Sequence, residues 1–139
     1  MVVAEGNRYW LEDHGVVRAR GKDRARRLAD LDRRLTEVVD RVSPESAAVE
    51  SSFSGRNPRS SLALAESRGV VIAALGRGEI DVSSYSPAQI KSAIVGFGKA
   101  DKRQIGYMVT RLLNLSSEPP EDAADAMAVA LTHLHTKRF

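Results

Sequence analysis

The sequence predicts an α/β domain built on a mixed sheet, and three observations carry that prediction. A hairpin pattern opens the chain. Apolar spacing then changes from a strand-like to a helix-like period near Lys22. Beyond that point short apolar strands alternate with helical segments, the order expected when helices cover a sheet.

Each element follows in turn. Met1 to Ala4 reads as the end of a strand, Glu5-Gly6-Asn7 as a turn, and Arg8 to Arg18 as a second, loosely alternating strand. From Lys22, Leu28, Leu31, Leu35, Val38 and Val42 recur at three- and four-residue spacing, which predicts an amphipathic helix. Arg24, Arg27, Arg34, Asp23, Asp30 and Glu37 cover its other sides. They suit a solvated face laced by i,i+4 pairs, with DNA contact as the alternative. Ser43-Pro44-Glu45 is a turn, Ala47 to Glu50 a short strand, and Ser51 to Pro58 a polar loop. A second helix is expected from about Arg59 to Leu75, stopping at Gly76 and Gly78, with a strand over Ile80 to Tyr85. Ser86-Pro87-Ala88-Gln89 is a helix start with serine at the cap, proline at the first position and glutamine at the third. That third helix ends at Gly96-Phe97-Gly98. Lys99 to Lys102 leads into a fourth, with Ile105, Met108, Val109 and Leu112 inward, and a last helix opens after Pro119 and Pro120.

Composition narrows the function little. The 139 residues fit one domain, 1–139. No cysteine is present, which excludes disulfides and thiolate metal sites and suits a reducing compartment. No apolar run approaches the roughly 18 residues of a membrane span, and no signal pattern opens the chain, so a cytoplasmic location is expected. A net charge of +3 and a pI near 9.5 allow a nucleic-acid partner without requiring one.

The residues that carry chemistry are acidic. Asp122 and Asp125, three apart at the start of the last helix, share one face and lie close enough to share a cation. They equally suit ordinary first-turn acids beside Glu121, complementing the helix dipole. Glu50 ends an apolar strand, where open α/β sheets place ligands. The three together offer hard oxygens of the kind Mg²⁺ or Mn²⁺ takes. Two such ions clamp the attacking and leaving oxygens of phosphodiester hydrolysis. Such a site usually wants one more carboxylate; Asp13, Asp81 and Asp101 are spare, but each sits in a turn or cap context. Phe53, in a loop with Arg56 and Arg59, suits base stacking or a wedge in distorted DNA, or a loop residue folded onto the core. Lys91, Lys99 and Lys102 surround the Gly96-Phe97-Gly98 turn and suit phosphate contact. His14, His133 and His135 make no metal-ligand spacing, and packing is the default for His133.

These segments resemble the RuvC family of Holliday-junction resolvases, members of the ribonuclease H-like superfamily. The resemblance runs from Ala47 through His133. It is carried by Ala48-Val49-Glu50 with Phe53 following, by Ile90-Lys91 through Gly96-Phe97-Gly98-Lys99-Ala100-Asp101-Lys102, and by Asp122-Ala-Ala-Asp125 through Leu131-Thr132-His133. The hairpin and first helix fit more loosely.

The resemblance implies a ribonuclease H-like mixed sheet flanked by helices and a magnesium-dependent endonuclease that nicks four-way DNA junctions symmetrically. It makes Glu50, Asp122 and Asp125 three of four catalytic carboxylates holding two magnesium ions, with manganese as a substitute. It makes Phe53 the aromatic inserted at the junction centre and Lys91 and Lys102 the lysines that contact DNA and support catalysis. Arg56 and Lys99 join the DNA-contacting set. The helix from Arg59 to Leu75 would pair across a twofold axis through Ala63, Ala65, Gly69, Ala73 and Ala74. The implied partners are junction DNA, a second copy of the chain, and the RuvA and RuvB branch-migration proteins.

One departure accompanies the resemblance. The family opens with a strand ending in Gly-hydrophobic-Asp-Pro-Gly, whose aspartate is the fourth carboxylate; Met1 to Ala4 instead match its second strand. The first, central strand is therefore expected to be missing, leaving a gap between the hairpin and the strand ending at Glu50. We expect in-frame coding sequence for that strand upstream of Met1. The alternatives are a natural variant that binds junctions but cuts poorly, and another ribonuclease H-like nuclease.

Overall fold

The computed structural model describes residues 1–51 and 57–137. Among the described residues nine elements follow one another: β1 (Val2–Glu5), β2 (Arg8–Leu11), α1 (Arg24–Val42), β3 (Ser46–Glu50), α2 (Pro58–Arg77), β4 (Asp81–Tyr85), α3 (Pro87–Val95), α4 (Lys102–Leu112) and α5 (Glu121–Thr136). The chain divides into two compact units. The first gathers Met1–Gly15, Ala48–Ser51 and the described residues from Ser83 onward; the second gathers Val16–Ala47 and the described residues up to Val82.

In the first unit β1 and β2 pair antiparallel, Val2 opposite Leu11 and Glu5 opposite Arg8. Gly6 takes φ 58°, the first position of a tight II′-type hairpin turn, which L side chains adopt only with strain. The second strand expected to reach Arg18 stops at Leu11. Its partner β1 is only four residues long, and beyond Leu11 there is no ladder to hold an extended backbone.

β3 pairs with β4, and the two pairs form separate two-stranded sheets. Among the described residues no ladder joins the hairpin to β3. Ser51 donates its backbone N–H to the Tyr85 carbonyl at 2.9 Å, so the carboxyl ends of β3 and β4 lie side by side.

Three helices bury the core of this unit. Ile90 and Ile94 of α3, Ile105 and Val109 of α4, and Met127, Ala128 and Leu131 of α5 meet Tyr85, with Val2, Tyr9, Leu11 and Ala48 packed alongside. Val109, Ala128 and Leu131 are wholly inaccessible. Burying a side chain of valine or leucine size is worth about 1.5–3 kcal/mol, so Val109 and Leu131 contribute strongly to this core.

Helix starts are set by short polar side chains. Ser86 and Gln89 form a reciprocal capping box on α3, with bonds of 3.2 and 2.8 Å. Asp101 and Gln104 do the same for α4 at 2.8 and 2.9 Å. α3 stops where Gly96 turns left-handed at φ 90° and returns its N–H to Ser92.

The second unit is the α1–α2 pair. Arg33 reaches Asp30 and Glu37 at 2.7 and 2.6 Å, and Arg34 reaches Asp30 at 2.8 Å. Arg24 pairs with Glu66 and Arg77 with Asp32, tying the two helices together. Of the arginines expected on the solvated face, Arg34 makes an i,i+4 pair, whereas Arg24 bridges to α2 instead.

Candidate active site

The acidic residues and lysines of interest fall within the first unit. Asp122 and Asp125 occupy the opening turns of α5. Pro120 precedes that helix, and no side chain caps its free N–H groups. Glu121 and Asp122 lie in the first turn, where the helix dipole favours negative charge. Both are exposed, whereas Asp125 is half-buried beside the core.

Lys102, the first residue of α4, is the cation that answers them. Its ammonium forms an ion pair with Glu121 and lies 3.7 Å from an Asp125 carboxylate oxygen. The Glu121 hydrogen bond, followed by the charges of Asp125, Glu121 and Asp122, raises the Lys102 pKa above the ordinary lysine value. All three acids therefore contribute to one negative potential that favours a bound cation.

Glu50 ends β3 and is exposed; its strand end is fixed to β4 through the Ser51–Tyr85 bond. Lys91 is half-buried on α3, and Lys99 is exposed in the link between α3 and α4. Phe53 and Arg56 lie outside the described residues. Of the spare acids, Asp101 serves as the α4 cap, accepting from Gln104. Asp81 begins β4, at the opposite end from the Glu50–Tyr85 edge.

A hard divalent ion suits this donor chemistry, since carboxylate oxygens in a negative potential are what Mg²⁺ and Mn²⁺ take. The expected three-residue ligand set is not assembled, however. Among the described residues no group of three histidine, aspartate or glutamate side chains is gathered closely enough to hold a metal. Carboxylates repel one another, and the ammonium that draws the α5 acids together is engaged with Glu121 and Asp125.

Two participants escaped sequence reasoning. Glu121 was legible only as a helix-start acid; its pairing with Lys102 spans a separation of 19 residues and leaves no periodic signal. Tyr85 was legible as a strand end, but its hydroxyl meets Nδ1 of buried His133 at 3.0 Å. His133 therefore packs, as its position suggested, and Tyr9 meets His135, two residues on, edge-on with ring centres 5.2 Å apart.

Comparison with known proteins places this arrangement. The sequence model of the family described as crossover junction endodeoxyribonuclease RuvC matches residues 1–133. A protein of that description from Francisella philomiragia is 41% identical over 132 residues, covering 95% of this chain and 77% of the relative. One from Burkholderia cenocepacia is 40% identical over 135 residues, covering 97% and 75%. The Thermus thermophilus RuvC structure superimposes with a TM-score of 0.87 at 33% identity, covering 99% of this chain and 85% of the other. The same organism's RuvC bound to a Holliday-junction substrate gives 0.89 at 32% identity, covering 97% and 84%. The hairpin, the strand ending at Glu50, and Lys91, Lys102, Asp122 and Asp125 all fall within the matched span, and the chain belongs to the RuvC family of crossover junction endodeoxyribonucleases.

Proposed function

We propose that this chain is a DNA endonuclease that resolves Holliday junctions by hydrolysing phosphodiester bonds, acting through one nuclease domain spanning residues 1–139. The observation that carries the reading is the acidic opening of α5, with Asp125 3.7 Å from the Lys102 ammonium and Asp122 adding to the charge around it, in a chain related over residues 1–133 to junction endonucleases.

Glu50, Asp122 and Asp125 are the residues that would hold magnesium, two ions per subunit, with manganese as a substitute. When bound, the metal supplies charge neutralisation at the scissile phosphate and in-line geometry. The chain's own residues do the rest. Lys102 offers an ammonium at the edge of the acidic set, where it balances the carboxylates and meets a phosphate oxygen. Lys91 and Lys99 extend that positive border around the α3–α4 turn. Phe53 and Arg56, three and six residues past Glu50, engage the junction centre.

Two cuts on opposed strands need two centres, so the working form is a homodimer, and a twofold axis supplies both centres from one sequence. RuvA and RuvB are the proposed branch-migration partners, and the cytoplasm the proposed compartment. Among the described residues no helix is long and apolar enough to cross a membrane.

The test is a synthetic four-way junction incubated with purified protein and Mg²⁺. Symmetric nicks are expected, and Asp125→Asn is expected to bind the junction without cutting it. Cleavage by Asp125→Asn at the parent rate would remove Asp125 from the site. The alternative reading is junction binding without efficient cleavage. A gel shift without nicks in Mg²⁺ would select it.

A further inference from the structure

The outer face of α4 takes no part in the site just described. Arg103, Tyr107 and Arg111 are four residues apart, and each four-residue step on an α-helix advances about 6 Å and drifts about 40°. The three side chains therefore form one stripe about 12 Å long within an arc of about 80°. All three are exposed, Tyr107 to 56%, while Ile105 and Val109 on the opposite side are buried.

The charge of this helix is unbalanced. α4 carries Lys102, Arg103 and Arg111 and no acid. On α1, by contrast, Arg24, Arg26, Arg33 and Arg34 each meet a carboxylate. Among the described residues Arg103 and Arg111 have no such partner. Helix stability does not explain Arg103, because a cation in the first turn opposes the helix dipole. Nor does the core, since the stripe points away from it.

We propose that Arg103, Tyr107 and Arg111 hold the phosphate backbone of one duplex arm of the DNA substrate, without reading its sequence. The proposal rests on the DNA-cleaving reading above. Two arginines and a tyrosine hydroxyl are donors suited to phosphate oxygens. A 12 Å stripe spans the axial rise of about three nucleotides of one strand. Lys102, next to Arg103 at the head of the same helix, already borders Asp125. The stripe thus continues the positive border from Lys102 along α4.

The test is binding of the full chain to a long-armed four-way junction in EDTA, measured over a series of KCl concentrations. Two phosphate contacts contribute a slope of about 1.8 in log affinity against log salt, so Arg103→Gln with Arg111→Gln is expected to flatten the slope by that amount. The loss is expected to vanish on a junction whose arms are cut to a few base pairs. Arg33→Gln with Arg34→Gln, which removes an equal charge already paired on α1, is expected to leave the slope unchanged. An unchanged slope in the α4 double variant, or an equal flattening in the α1 double variant, would overturn the proposal. Loss of cutting in Asp125→Asn tests the nuclease reading separately, so either can fail alone.

Discussion

Tyr85 and His133 form a buried hydrogen-bonded pair, hydroxyl to Nδ1 at 3.0 Å with ring planes 65° apart, linking the carboxyl end of β4 to α5. The same Tyr85 accepts the Ser51 N–H through its carbonyl, one residue past Glu50. One residue, through its carbonyl on one side and its hydroxyl on the other, therefore connects the strand end that carries Glu50 to the helix that carries Asp122 and Asp125. Tyr85→Phe keeps the ring and the backbone bond and removes only the hydroxyl. It is expected to lower stability by about 0.5–1.5 kcal/mol, read as a shift of the urea midpoint at unchanged slope. An unmoved midpoint would show that the pair contributes nothing net.

The His133 side of this pair sets a pH response. Burial, and then the nearby charge of Lys137, lowers its pKa below the ordinary value of 6.5. The unfolded chain therefore binds a proton more readily than the folded one. This contribution to stability is fully present above pH 6.5, declines as pH falls from there towards the lowered folded value, and levels off below it. Urea midpoints taken from pH 8 down to pH 5 are expected to fall in that window, and His133→Gln is expected to flatten this component. A His133→Gln profile that matches the parent would assign the acid sensitivity elsewhere.

Asp30 responds at more acidic pH. The Arg20 backbone N–H at 2.7 Å, with hydrogen bonds from Arg33 and Arg34, lowers its pKa to about 2 from 3.8. Here the folded state holds the proton less tightly, so the stability it adds is complete above pH 3.8 and is lost as pH falls towards 2. Carboxylate NMR titration is expected to find Asp30 well below the ordinary aspartate value of 3.8. Asp30→Asn is expected to remove that component of the acid limb. A normal carboxylate midpoint for Asp30 would mean the lattice around it is not persistent in solution.

What the sequence disclosed follows the range of each interaction. The caps on α3 and α4 were legible because Ser86–Gln89 is a local pattern written within one turn. The inward faces of α1 and α4 were legible because helical spacing repeats. The stop of β2 at Leu11 was not, since a strand lasts only as long as its partner, and β1 is no longer than four residues. At the site, residue types and spacing marked Asp122 and Asp125, but the Lys102–Glu121 and Tyr85–His133 contacts join residues 19 and 48 apart. Neither pairing repeats along the chain, so only the fold reveals it.

Lys102 separates stability from chemistry most cleanly. Its ammonium is exposed, and exposed ion pairs contribute about 0–1 kcal/mol, so Lys102→Met is expected to move the urea midpoint little. The electrostatic consequence is local. Glu121, Asp122 and Asp125 all favour the charged lysine, so removing it makes that end of α5 more negative. A divalent cation then meets less competition for the carboxylates, and half-saturating Mg²⁺ for cleavage is expected to fall. Cleavage at saturating Mg²⁺ is expected to drop by about 10²-fold or more, the usual consequence of losing a charge-stabilising donor at a reacting group. Lys102→Arg, which keeps the charge on a wider head, is expected to recover the Mg²⁺ requirement better than the rate. If Lys102→Met cut at the parent rate with an unchanged Mg²⁺ requirement, the ion pair with Glu121 and Asp125 would be a surface contact with no bearing on catalysis.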